Sequence, residues 1–214
     1  MRSLEALLDE SASLHGHLCP GQVLGVRMAM LGCALVAIDE PEFSKDLLVY
    51  VEIDRCATDA IQAVTGCKMG RRTLKYVDYG KVAATFLNVG TGDTFRVVAR
   101  DDSREAVWSY APQGVSKRAA QLYAYKVMPD IELFTVAPVR IHVPATDLPG
   151  HPLRRVACDM CGEGVNDGRE IMQDGRTLCR ACAHGAYYTS DDTVAGCVSL
   201  VGRAGAVGVE KTSP

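Results

Sequence analysis

Leu74-Lys-Tyr-Val-Asp-Tyr-Gly80-Lys-Val82-Ala-Ala-Thr-Phe-Leu-Asn88-Val-Gly90-Thr-Gly92-Asp-Thr94-Phe-Arg-Val-Val-Ala99 holds three runs rich in β-branched and aromatic residues, 74–79, 82–88 and 94–99, with glycines between them. Such runs predict strands, and the breaks at Gly80 and at Gly90-Thr91-Gly92 predict tight turns, so the stretch reads as an antiparallel meander. Upstream, 47–53 predicts another strand, followed by a helix over 57–64 that Gly66 closes. Leu4, Leu7, Leu8 and Ala12 recur at helical spacing over 3–14. Pro20 suits a first helical turn, and Val23, Leu24, Arg27, Met28, Leu31 and Leu35 then predict a long core helix ending near Asp39-Glu40-Pro41. Downstream, a helix over 115–126 and a last strand over 131–143 precede an irregular stretch at 144–152. Helices and antiparallel strands in runs, without regular alternation, predict an α+β fold. The predicted organisation is a core domain at 1–150, a four-cysteine module at 151–190 and a partly ordered tail at 191–214.

The module is the strongest signal in the chain. Cys158-x-x-Cys161 and Cys179-x-x-Cys182 lie seventeen residues apart. That spacing lets two tight turns bring four thiolates onto one tetrahedral zinc ion. Turn-forming stretches at 162–168 and 173–175 flank short strands at 169–172 and 176–179, so a knuckle, a hairpin and a closing helix make a treble clef. About forty residues bury too little apolar surface to fold alone, whereas structural zinc contributes ~10–16 kcal/mol in finger peptides. A closed set of four cysteines leaves no open position for catalysis.

Charge restricts the partners. The 214 residues carry 23 Lys or Arg against 26 Asp or Glu, a formal charge of -3, which gives no field for nucleic acid or anionic lipid. From His151 to Ser190 five arginines face five acidic residues, and four thiolates around a divalent ion add further negative charge, so nucleic-acid binding is not expected. The apolar run 23–38 is broken by Arg27 and by glycines and is too short to span a bilayer. Nine cysteines, four of them in Cys-x-x-Cys pairs, with no secretory leader, point to a reducing cytoplasmic compartment.

A second constellation lies near the N-terminus. His15-x-His17-x-Cys19 sets three metal-compatible ligands at spacing two, which in an extended stretch points all three to one side. Pro20 places Cys19 at a helix start, where backbone amides and the helix dipole favour a thiolate. Cys56 precedes Thr58 and Asp59, expected caps of the next helix, and would feel the same field; Cys19 and Cys56 are expected to meet. The alternative is that His15 and His17 only buttress a helix and that Cys56 is a buried small hydrophobe. Cys33 reads as core, Cys67 follows a helix stop and is a weaker site candidate, and Cys197 lies in the tail. Lys68-Met69-Gly70-Arg71-Arg72 reads as a basic turn able to hold an anion.

His15-Gly-His17-Leu-Cys19-Pro20-Gly21, Cys56-Ala-Thr-Asp59-Ala-Ile-Gln62, Gly66-Cys67 and Asp78-Tyr79-Gly80-Lys81 resemble the FmdE family, named for the E component of formylmethanofuran dehydrogenase, over about residues 11–145. The resemblance implies an α+β core that pairs as a homodimer, sometimes followed by a treble-clef zinc finger. It also implies a metal-binding or active-site cleft at His17, Cys19 and Cys56, with His15 nearby and with Asp59 and Gln62 as lesser members. The family name refers to a molybdenum or tungsten enzyme acting on methanofuran, yet nothing in this chain resembles a pterin or iron–sulfur domain.

Three functions follow. The first is a metal-binding accessory homodimer that docks to or matures a redox enzyme, with structural zinc in the finger and a second metal ion in the core cleft. The second is an enzyme in which Cys19 is an activated thiolate or a catalytic-metal ligand and His17 carries the proton. The third, which the charge opposes, is a zinc-finger interaction or nucleic-acid module.

Overall fold

A computed structural model of the chain describes residues 1–189. They fall into two compact units, Met1–Pro152 and a second beginning at Leu153. The tail expected at 191–214, Cys197 included, lies outside the described residues.

In the first unit, α1 spans Leu4–His15 and opens on Ser3, whose hydroxyl accepts from the Ala6 N–H. It stops at Gly16, whose left-handed backbone (φ 92°) turns the chain away with His15 as the last helical residue. α2, Pro20–Leu35, starts at once, with Cys19 as its N-cap and Pro20 in its first turn. The helix ends short of its expected limit because Ala37 takes a left-handed conformation (φ 54°) and the Ile38 N–H returns to the Cys33 carbonyl at 2.9 Å. An alanine at that position gives the sequence no stop signal, where a glycine would have. Arg27 is more than part of the helix stripe: its guanidinium donates to the carbonyls of Tyr125, Lys126 and Met128 at 3.0, 3.2 and 2.9 Å. These groups end α5, Lys117–Val127, and the cation satisfies carbonyls that the helix itself leaves open.

One five-stranded sheet, order β2-β1-β3-β4-β5, supports the helices. β1 is Leu47–Val51, β2 Leu74–Tyr76, β3 Ala83–Asn88, β4 Thr94–Ala99 and β5 Phe134–Pro138. The predicted hairpin between β3 and β4 forms, with Phe86 opposite Phe95. The full meander does not: β2 pairs with β1 in parallel, Val49 opposite Leu74, and β1 lies between β2 and β3. The physical reason lies at Glu52, whose carbonyl accepts from both Tyr79 at 3.2 Å and Lys81 at 3.1 Å. The Gly80 turn therefore wraps the end of β1 and carries the chain from one flank to the other. α3, Cys56–Thr65, supplies the helical crossover that a parallel pair requires.

Two further expectations are corrected. The segment 131–143 is not one strand: α6, Asp130–Leu133, starts after Pro129, and β5 follows and ends at Pro138, which has no N–H for a ladder. From there the chain crosses to the β2 edge, where the Lys75 ammonium donates to the Asp147 carbonyl at 2.6 Å. A short helix, α4 at Ser103–Ala106, lacks the length to leave a periodic signal.

Val49, Val51, Ala84, Phe86 and Val97 bury the helix-facing side of the sheet against α2 and its neighbours. The contacts are close enough to exclude side chains. A methyl group at Gly32 would stand 2.2 Å from the Phe86 ring, and one at Gly25 would stand 2.5 Å from the Ala57 carbonyl oxygen and 2.7 Å from the Ala60 Cβ. Gly25 thus lets α2 lie on the backbone of α3, an obstacle that no rotamer change relieves. Gly25→Ala should lower the unfolding free energy by roughly 1–3 kcal/mol, whereas Gly70→Ala, in open space, should change it by less than about 0.5 kcal/mol; urea unfolding of both variants checks this.

In the second unit, β6 (Arg155–Ala157) pairs with β7 (Gly164–Asn166), and β8 (Ile171–Gln173) pairs with β9 (Arg176–Leu178), followed by α7 (Arg180–His184). The knuckle, hairpin and closing helix read from the sequence are present, and the stretch 162–168, expected as turn, is corrected: it supplies β7, which pairs with β6.

Candidate metal centre

In the second unit Cys158, Cys161, Cys179 and Cys182 present sulfurs within 4.8 Å of one another, with Cys161 and Cys179 Sγ 3.9 Å apart. The Cys179 N–H donates to Cys158 Sγ and the Cys182 N–H to Cys179 Sγ, each at 3.3 Å, as expected of sulfurs that carry negative charge. Without a cation four thiols this close cannot all ionise. The N–H groups of Cys161 and Cys179 pull Cys158 down to about 6, while hydrogen bonding to Cys179, together with burial, pushes Cys182 up to about 12. A divalent ion supplies the charge that resolves this conflict, and the tetrahedral thiolate set fits zinc. Sequence reasoning missed Asp159, which joins the knuckle to the second hairpin: its N–H donates to the Thr177 carbonyl at 2.8 Å, and its carboxylate accepts from the Thr177 N–H at 2.6 Å.

In the first unit the left-handed Gly16 and the N-cap geometry of Cys19 fold the 15–19 segment so that ligand atoms of His15, His17 and Cys19 also lie within 4.8 Å of one another. A tetrahedral ion with these donors holds them about 3.4–3.8 Å apart, so side-chain adjustments of about an ångström would close the set. The two imidazoles stand 4.9 Å apart between ring centres. Cys19 is 8% exposed, and Arg118 holds the loop by donating to the Leu18 carbonyl at 3.2 Å.

Asp59 orients the cluster. Its carboxylate lies 2.7 Å from His15 Nδ1, which fixes that nitrogen as the protonated one and leaves Nε2 with its lone pair free for a metal. The expected helix-capping role of Asp59 is therefore corrected. Thr58 does not cap the helix either: its hydroxyl donates to the Ile53 carbonyl, and Arg55 is the N-cap without a side-chain bond.

Cys56 is the first residue of α3 and meets Cys19 as expected, but it is outside the three-residue group. A methyl group at Gly21 would find Cys56 Cβ at 3.3 Å, Cys19 Sγ at 3.8 Å and Cys56 Sγ at 4.0 Å, so glycine leaves the two thiols free to approach. The expected helix-dipole lowering of the Cys56 thiol is overridden: burial, a hydrogen bond with Cys19 and the Cys19 charge push it up. Cys67 does not join this cluster. It is buried beside Cys33, with its thiol 3.8 Å from the Leu47 carbonyl, and burial raises both thiols, Cys33 to about 12. The basic turn is only partly free, since the Arg72 guanidinium binds the Thr146 carbonyl and the Asp147 carboxylate.

Cys56 and Arg55 form a divide between two clefts. One, of about 390 Å³, contains His15, Asp54, Asp59 and Tyr76; the other, of about 210 Å³, contains Gly21, Arg104 and Gln121. A half-buried ion pair, invisible in the sequence, braces the sheet nearby: the Glu52 carboxylate accepts from Arg96 Nε and Nη2 at 2.6 Å each. The hydrogen bonds to Glu52 hold the Arg96 guanidinium pKa above its ordinary value.

Residues 14–135 match the family model described as FmdE, molybdenum formylmethanofuran dehydrogenase operon. The chain belongs to the FmdE family. Beyond the FmdE domain, residues 152–188 match the prokaryotic dksA/traR C4-type zinc finger. A curated relative, "Probable S-adenosyl-L-methionine-binding protein" of Archaeoglobus fulgidus, is 28% identical over 205 residues. That alignment covers 86% of this chain and 54% of the relative, so the chain spans about half the relative's length. A crystal structure of an FmdE-like protein of tungsten formylmethanofuran dehydrogenase type from Syntrophus aciditrophicus shares the fold at a TM-score of 0.57 and 22% identity, covering 88% of this chain and 96% of that one. The chain is thus an FmdE-family metal-binding protein with a four-cysteine zinc finger.

With only Leu178 and Cys158 deeply buried among the aliphatic and sulfur side chains of its described residues, the finger should depend on its ion. Cys158→Ala or exhaustive chelation should remove one zinc per chain and open 153–189 to proteolysis, while a resistant fragment close to 1–152 survives; limited digestion read by mass spectrometry checks this.

Proposed function

We propose that the FmdE core binds a second metal ion through His15, His17 and Cys19, with Cys56 at the edge of the site, in a cytoplasmic homodimer that assists a redox enzyme. The observation that carries the reading is the gathering of ligand atoms from two imidazoles and a thiol within 4.8 Å of one another, with Asp59 bonded to His15 Nδ1 so that Nε2 keeps its lone pair. The mixed nitrogen and sulfur donors fit zinc, cobalt, nickel or iron(II). Bound there with three protein ligands, the ion would keep an open position and act as a Lewis acid on whatever reached it. The chain's own residues then have separate tasks: Asp59 fixes the His15 tautomer, Arg118 holds the ligand loop, and Cys56 faces the cleft at the metal's flank.

Support for pairing comes from exposed apolar side chains on the β5 side of the unit, namely Tyr123 and Val127 of α5, Ile131 of α6, and Val136 at the sheet edge. Support for an accessory role comes from the operon in the family's description. The finger would provide contacts to the partner. Among the described residues no helix is long and apolar enough to cross a membrane.

A second reading, an enzyme with Cys19 as nucleophile, is favoured by the position of that residue as N-cap of α2. S-adenosyl-L-methionine, named for the Archaeoglobus relative, belongs to this reading: Asp54 and Asp59 in the larger cleft would suit a sulfonium. Calorimetric titration with that ligand tests it.

Elemental analysis of anaerobically purified chain separates the two sites. The account predicts two metal ions per chain, one of which disappears in Cys19→Ser while the finger zinc remains. A single ion that Cys19→Ser leaves untouched would reject the core site. Asp59→Asn should retain the fold and weaken the core metal by about 10–100-fold, measured by competition with a chromogenic chelator.

A further inference from the structure

The smaller cleft beside Cys56 has a composition unlike its surroundings. It lies where α2 and α3 begin, and Gly21, Arg55, Cys56, Arg104, Gln121 and Tyr125 contribute to its wall, with no aspartate or glutamate in the lining. Gly21, in the first turn of a helix of 16 residues, and Cys56 and Ala57, in the first turn of a helix of 10, all line this one small volume. Arg55 forms no ion pair among the described residues, and Arg104 has only a loose partner in Asp101, 3.7 Å away with both side chains exposed. Tyr125 is 2% exposed, and its hydroxyl stands at the limit of hydrogen bonding to Gln121, 3.5 Å away. In a chain of net negative charge, two guanidinium groups lining one cleft, one with no ion pair among the described residues and one with only a loose exposed pair, have a local electrostatic demand for an anion.

We propose that this cleft is an oxyanion subsite: it holds the carboxylate or phosphate group of a small molecule through Arg55, Arg104 and the first-turn amides, and so places the atoms next to that group beside Cys56 and Cys19. The volume of about 210 Å³ limits the ligand to a short acid or a small phosphate compound unless it extends past Cys56 into the neighbouring cleft. The larger cleft on the far side of Cys56 contains Asp54 and Asp59, so an oxyanion has a preferred side and the ligand a fixed direction across the thiols. The inference rests on the reading of the His15, His17 and Cys19 cluster as the functional centre that the ligand is aimed at.

The test titrates the full chain with inorganic phosphate and, separately, with succinate, in low-chloride buffer, by isothermal calorimetry. Saturable binding of either anion at one per chain, weakened about tenfold or more by Arg55→Gln and by Arg104→Gln, supports the subsite, and the anion that binds names the source of the oxyanion. Both arginines are exposed, so these variants should keep the wild-type melting temperature and metal content. Binding that survives both substitutions, or no saturable binding of either anion, overturns the proposal. Repeating the titration on Cys19→Ser separates the two claims: anion binding there with unchanged metal content means that the metal reading has failed and the subsite stands.

Discussion

The contact between α2 and α3 at Gly25 governs the rest of the core. Because no side chain separates that glycine from the Ala57 backbone, the two helices lie in direct contact close to their first turns, and their N-termini are drawn to one corner of the molecule. Cys19 and Cys56, far apart in sequence, meet there, and Gly21 leaves their thiols room. Gly32 repeats the device against Phe86 and fixes α2 on the sheet. Rigid packing of this kind holds a ligand set in place better than a loop would.

The core and the finger gather their candidate ligands by opposite routes. In the core, an apolar interior of Val23, Met28, Phe86 and Tyr125 folds the chain, and the histidines and thiols are set on its surface by helix ends. In the finger, little is buried, and the four sulfurs are themselves the centre of the structure. Loss of metal should therefore unfold one unit and leave the other folded.

Much of this was legible in the sequence, and the failures have identifiable causes. The first helix, the helix start at Pro20, the stop at Gly66, the β3–β4 hairpin and the finger all follow from local chemistry: apolar periodicity, proline, glycines and cysteine spacing. The placement of β2 does not, because the turn at Gly80 looks like a hairpin locally and becomes a crossover only through bonds to the Glu52 carbonyl. The Glu52–Arg96 pair and the His15–Asp59 bond each join residues 44 apart, and no periodicity foretells them. The motif at 15–19 singled out the three residues that cluster, whereas the contact of Asp59 with His15 needed the fold. The thiol of Cys56 shows the same limit: helix position argued for a lowered pKa, and burial beside Cys19 decided otherwise.

The central claim is that one chain holds two metal sites with different donors. Substitution of the full chain with cobalt(II), followed by electronic absorption through titration, tests it most directly, because ligand-field and thiolate charge-transfer bands differ between four-sulfur and mixed nitrogen–sulfur coordination. The account predicts two successive components: a four-thiolate spectrum from Cys158, Cys161, Cys179 and Cys182, and a weaker mixed spectrum that Cys19→Ser abolishes. A four-thiolate spectrum alone, saturating at one cobalt per chain, would contradict it.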